Sequence, residues 1–192
     1  HREPGTVGSP LWGMEARVVD EGFRELPNGT PGELVVRGCG VMRGYYRNPE
    51  ATSRTLSPTG WLHTGDVAVR DDNGDFRIVE RLDDMVIRSG FNVYPTAVEA
   101  QLLAHPGVKL ASVVGVPDER VGQEVVAYVQ LHEGVAVQAE ELVGWAREHL
   151  PRHAYPRKVI LTEEFPLGPT GKVLRRALRD RAVASLPAGE AS

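Results

Sequence analysis

The sequence predicts an α+β fold in two parts. A small β-barrel-like subdomain occupies residues 1–82, and a compact C-terminal α+β domain with a small sheet and flanking helices occupies 83–184. Three observations lead there. Short runs of alternating apolar residues, separated by Gly-, Pro-, Asn- and Asp-rich turns, fill the first part. A polar break, Leu82-Asp83-Asp84, interrupts that pattern. Beyond it, stretches of helical period alternate with longer β-branched runs.

The elements follow in order. Residues 14–20 (MEARVVD) alternate through Ala16 and Val18 as a strand does. Residues 27–32 (PNGTPG) make a strong turn, and 33–37 (ELVVR) a second short strand. A short helix starts near Asn48, with Pro49 at its first position. Thr64-Gly65-Asp66 reads as a tight polar turn. Strands through Val67 and Val69 and through Phe76, Ile78 and Val79 flank the turn cluster 71–75, which predicts a hairpin. Asp66 and Arg81 then lie at one end of it.

Met85-Val86-Ile87 is a strand running into the glycine-bearing loop Ser89-Gly90-Phe91-Asn92. Residues 95–104 form a helix with proline in its first turn, ended by His105-Pro106-Gly107. The β-branched runs 108–116 and 124–131, separated by 117–122, predict an antiparallel pair. Residues 139–150 form an amphipathic helix with Leu142, Trp145, Ala146 and His149 on one face. Residues 158–161 are a short strand. Residues 173–183 form a basic helix with Leu174, Leu178 and Ala182 inward, its arginines (Arg175, Arg176, Arg179 and Arg181) mostly a solvated face. The tail, 185–192, is expected to be disordered.

Composition narrows the function. The 192 residues suit one or two small domains, and 41% apolar content is enough for their cores. A net charge of -4 argues against a nucleic-acid partner. The single cysteine, Cys39, allows no internal disulfide and fits a reducing, cytoplasmic location. No stretch is long and apolar enough to be a membrane-spanning helix. Residues 1–8 (HREPGTVG) read as the middle of a longer chain.

Two sets of residues have the chemistry of a site. A carboxylate and a guanidinium at one hairpin end, Asp66 and Arg81, are either a turn residue and a surface ion pair or a site for paired hydroxyls. Asp accepts from hydroxyls, as on a ribose, and Arg supplies a planar fork of donors. Residues 168–172 (GPTGK) are a Gly/Pro turn carrying Lys172 before a helix. It is not a phosphate-binding P-loop, because Pro166 stands where the first glycine is needed and Val173 replaces Ser/Thr. No metal-ligand set is visible.

Three stretches, GWLHTGD, IVERLDDMVIRSGFNVYP and PLGPTGKVLRR, resemble ordered motifs of the adenylate-forming superfamily. That superfamily holds acyl-CoA synthetases, luciferases and peptide-synthetase adenylation domains. The resemblance covers residues 5–181 and is closest to fatty-acyl-CoA ligases. It implies the C-terminal part of an ATP-dependent ligase that makes acyl-AMP and pyrophosphate, then a CoA thioester. By position in the motifs, Asp66 and Arg81 would hold the ribose hydroxyls of ATP and AMP. Asp83 would be the hinge of a mobile C-terminal domain. Ser89, Gly90 and Phe91 would line the path of the CoA thiol. Lys172 would bridge the carboxylate and the α-phosphate. Implied partners are a carboxylic acid, ATP, CoA, Mg²⁺ with no ligands identified, and the missing N-terminal part, without which this chain is expected to be inactive. A carrier protein in place of CoA, or an isolated binding module, are the alternatives. Ile87 and Ala97 depart from the family, which carries lysine in some relatives at the first position and usually glutamate at the second.

Overall fold

In the computed structural model, which describes residues 5–185, the chain divides into two units between Asp83 and Asp84. The first is an antiparallel meander of β1 (Met14–Val19), β2 (Gly32–Gly38), β3 (Leu62–Arg70) and β4 (Phe76–Arg81), in that order. Among the described residues β1 and β4 do not pair with each other. Instead, Val7 N–H donates to the Phe76 carbonyl and Phe76 N–H to the Gly8 carbonyl. The segment beside β4 therefore leads directly into β1, and the sheet curls without closing.

One face of this sheet buries Val18, Leu34, Ala68 and Phe76; Val19, Val35 and Trp61 form a second cluster. Neighbours such as Val18 and Val19 point to opposite faces, as the strand repeat requires. The guanidinium groups of Arg17 and Arg37 each lie 4.7 Å from the Trp61 ring centre. Helix α1 (Pro49–Thr55) joins β2 to β3. Its cap is Asn48, whose Oδ1 accepts from Ala51 N–H at 2.9 Å, and Pro49 opens it.

The second unit is a mixed sheet built on β8. Its strands are β5 (Val86–Arg88), β6 (Phe91–Val93), β7 (Val108–Asp118), β8 (Gly122–Leu131) and β9 (Lys158–Leu161). Antiparallel β7 lies along one edge of β8. The other edge is shared: β5 meets it at Gly122, and β9 runs parallel to residues 126–129. Helices α2 (Pro95–Leu103) and α3 (Ala139–His149) cover one face through Val98, Leu102, Leu142 and Ala146. Helix α4 (Arg175–Ala184) covers the other through Leu178 and Ala182, against Val114, Val116, Val126 and Tyr128. With both faces covered, β7 and β8 are near-continuous apolar runs rather than alternating ones. The Tyr128 hydroxyl donates to the Leu178 carbonyl at 3.2 Å, and burial pushes its phenol pKa up.

Four local readings change. Thr64-Gly65-Asp66 is not a turn but a bulge inside β3. Ser89-Gly90 turns back into an added strand, β6, because two residues separate two short β runs. Leu174 is not inward; it is the N-cap of α4 and 45% exposed. Arg175 is not on a solvated face. Of the expected tail, Ser185 is the C-cap of α4 and 186–192 lie outside the described residues.

Candidate functional site

The Asp66–Arg81 pair is set by a register shift. Glu33 pairs with Val67 and Val35 with His63, so Thr64, Gly65 and Asp66 lie opposite Leu34 alone. The extra residues bow out of β3 and re-aim its side chains, the usual effect of a bulge. Gly65 takes φ 70°, a conformation that costs glycine little. The Thr64 hydroxyl pins the bulge: it donates to the Leu34 carbonyl at 2.7 Å and accepts from Asp66 N–H at 3.1 Å. Across the hairpin Asp66 is the register partner of Arg81, and Arg81 Nη1 donates to Asp66 Oδ1 at 2.5 Å. The side chains are 25% and 56% exposed, so a ligand can reach both. Just before the bulge, His63 Nδ1 meets Glu33 Oε2 at 2.9 Å. Sequence reasoning missed this contact, because it depends on the β2 register.

Asp83 lies exposed in a 3-10 turn, Leu82–Asp84, between β4 and β5.

Ser89 and Gly90 are the two central residues of the β5–β6 hairpin, with Arg88 paired to Phe91. Their φ values, 51° and 79°, are both positive, the signature of a type I′ turn. Phe91 is 55% exposed and its ring stacks on His153, with centres 4.6 Å apart. Arg88, 7% exposed, braces this arrangement. It grips Glu124 through Nε (2.6 Å) and Nη2 (3.0 Å), and its Nη1 donates to the carbonyls of Arg152 and His153 at 3.3 and 3.4 Å. Nearby, burial and the Arg88 charge hold the Arg157 guanidinium pKa below its ordinary value. Arg88, Glu124 and His153 are absent from the sequence reading. Arg88 sits beside the Ser-Gly dipeptide, but nothing local reveals its partners.

Lys172 is exposed on a hydrogen-bonded loop. Leu167 and Val173 bridge its stem, Gly168 N–H donates to the Lys172 carbonyl at 2.8 Å, and Gly171 N–H to the Gly168 carbonyl at 2.9 Å. Gly171, at φ 76°, makes the turn. The lysine is thus a cation on a short stem, three residues before Arg175.

Comparison with known proteins identifies the family. The family described as AMP-binding enzyme C-terminal domain matches residues 97–172, and the family AMP-binding enzyme matches residues 1–46. A long-chain-fatty-acid–CoA ligase of Escherichia coli O6:H1 is 43% identical over 178 residues, covering 93% of this chain and 31% of the ligase. Among solved structures, ATP-bound MatB from Rhodopseudomonas palustris is 36% identical, with a TM-score of 0.90 over 95% of this chain and 37% of that one. The o-succinylbenzoate CoA synthetase MenE of Bacillus subtilis, solved with an acyl-adenylate intermediate, is 33% identical, with a TM-score of 0.81 over 92% of this chain and 36% of that one. The chain thus spans about a third of the length of these relatives. On its motifs, its two family matches and its likeness to these ligases, the chain belongs to the AMP-binding enzymes of the adenylate-forming superfamily.

Proposed function

We propose that this chain works as the C-terminal part of an AMP-forming acyl-CoA ligase. In the first half-reaction a carboxylate oxygen attacks the α-phosphorus of ATP and pyrophosphate leaves. In the second, the CoA thiol attacks the acyl carbon and AMP leaves. Asp66 accepts the ribose hydroxyls while Arg81 holds the carboxylate in place and offers its remaining donors. Lys172 supplies charge where it develops on the α-phosphate and the attacking carboxylate. Ser89, Gly90 and Phe91 flank the thiol's path, and Asp83 is the residue about which the second unit turns between half-reactions. Hinges need only a backbone able to absorb the change.

The observation that carries this reading is the bulge that sets Asp66 against Arg81 with both still reachable by a ligand. Names of relatives support the acid–thiol chemistry: a fatty-acid–CoA ligase, and a CoA synthetase solved with its acyl-adenylate. Mg²⁺ would accompany ATP, but the described residues hold no cluster of His, Cys, Asp or Glu that could bind it, so no step here depends on it. A cytoplasmic location belongs to the same reading, since the one cysteine suits a reducing compartment.

The test is acid-dependent ATP–pyrophosphate exchange, followed by thioester formation with CoA or with a carrier protein, on the whole enzyme. Exchange with CoA as the preferred acceptor is the expected result. A carrier-protein preference would reassign the acceptor, and absence of exchange would overturn the reading. This chain alone is expected to show no exchange.

A further inference from the structure

Helix α4 begins against the local rules. Arg175 and Arg176 occupy its first turn, where the helix dipole disfavours cations, and Leu174 offers no capping side chain. Arg175 is nonetheless 21% exposed and held in a fork. Its Nη2 donates to Glu99 Oε2 at 2.7 Å and Oε1 at 2.9 Å, and its Nη1 to Asp84 Oδ2 at 3.2 Å. Glu99, on α2, is 14% exposed and also accepts from Val113 N–H of β7 at 2.8 Å. One guanidinium therefore joins Asp84, α2, the edge strand β7 and the end of the lysine loop.

The stem of that loop has little apolar anchorage. Leu167 and Leu174 are 57% and 45% exposed; at the loop's base Val173 and Phe165 pack, only partly buried, on the α4 side of the core. The polar fork at Arg175 is thus the firmest polar anchor close to Lys172. Asp84, its other ligand, opens the second unit.

We infer that Arg175 is a positioning residue for Lys172, fixing the lysine loop to Asp84 and Glu99. The inference rests on the proposed role of Lys172 in adenylation. A planar fork suits this task, because one rigid group can satisfy two carboxylates in a fixed geometry, which a lysine cannot. Loosening it leaves the lysine charged but misplaced, and a misplacement near 1 Å costs roughly a hundredfold in rate.

The test uses the whole enzyme. Arg175→Met should lower kcat for acid-dependent ATP–pyrophosphate exchange by roughly tenfold to a hundredfold. The KM for ATP should stay within about threefold, because ground-state binding is untouched. Thioester formation from supplied acyl-adenylate and CoA should be unchanged. Asp84→Asn guards against misfolding, since it removes the more exposed partner and leaves the Arg175–Glu99 pair; it should give the same split in smaller degree. Arg175→Lys should restore only part of the loss. Equal loss in both half-reactions, or exchange within about twofold of wild type in both Arg175→Met and Asp84→Asn, would overturn the inference. Lys172→Ala, run alongside, separates the two levels. If it leaves exchange intact, the reading of Lys172 fails; if it abolishes exchange while the Arg175 and Asp84 variants do not, only the positioning role fails.

Discussion

Asp66 and Arg81 are register partners across β3 and β4, and the Arg81 Nη1 donates directly to Asp66 Oδ1. The pair is too exposed to matter much for stability, since surface ion pairs contribute about 0–1 kcal/mol. On the function proposed above, its worth lies in holding a nucleotide's ribose. Asp66→Ala in the whole enzyme should weaken AMP binding roughly tenfold to a hundredfold, the loss of a hydrogen bond to a charged group. Titration calorimetry reads this directly. A nucleotide lacking both ribose hydroxyls should bind wild type correspondingly worse and bind the variant no worse than AMP does. Equal sensitivity in both proteins would remove Asp66 from the ribose.

Lys172 is exposed, so Lys172→Ala should leave the melting temperature unchanged. In a half-excluded site a unit charge about 4 Å away is worth about 4 kcal/mol at an effective dielectric near 20, before desolvation is subtracted. Exchange should therefore fall roughly a hundredfold or more. Thioester formation from supplied acyl-adenylate should survive. Single-turnover measurement of each half-reaction decides it, and parallel losses would refute the assignment.

Much of the α+β architecture is legible in the sequence. The runs that become β7 and β8 are β-branched and separated by an Asp- and Gly-bearing turn, so their pairing needs no distant information. Strand β6 is not legible, because Phe91-Asn92-Val93 lies between the Ser-Gly turn and the proline-opened helix and holds a polar Asn at its centre, so it reads as loop. The bulge at Thr64-Gly65-Asp66 is hidden for a different reason: it exists only relative to the β2 register. Arg175 reads as solvated because its partners, Glu99 and Asp84, lie 76 and 91 residues away, and no local pattern announces them. Recognition by motif supplies Asp66, Arg81 and Lys172, but not the groups that hold them.

The hairpin turn at Ser89-Gly90 makes a stability prediction with a known sign. Ser89 takes a left-handed conformation that asparagine tolerates better, and Asn-Gly is the favoured pair for a type I′ turn. Ser89→Asn should stabilise the protein by up to about 1 kcal/mol. Gly90→Ala should cost about 1–2 kcal/mol, purely from backbone strain, because no atom lies within 4 Å of where its Cβ would sit. Urea midpoints at constant slope would check both signs.

Beside that turn lies buried Arg88, with partly buried Glu124 as its carboxylate partner. Glu124→Gln leaves the Arg88 cation 7% exposed and without its carboxylate. Breaking a fully buried pair from one side costs about 3–5 kcal/mol, and because Glu124, on β8, is only partly buried, this variant should fall at or below the lower end of that range. Replacing both residues by apolar ones of similar volume should cost less than Glu124→Gln alone. The opposite order would show that Arg88 is held chiefly by the carbonyls of Arg152 and His153.

Gly115 sets how closely β5 approaches β7. A Cβ there would lie 2.8 and 2.9 Å from the two methyl carbons of Val86, which is wholly buried in the core just after Asp84. Gly115→Ala should therefore destabilise by about 1–3 kcal/mol through overpacking. Val86→Ala alone should also destabilise, by leaving a cavity. Together the two changes remove two methyls and add one across the same gap, so the double variant should be more stable than the sum of the single losses predicts. Contacting residues couple by about 0.5–3 kcal/mol. Denaturant melts of the four proteins close the cycle; strict additivity would mean that Val86 does not limit the space at Gly115.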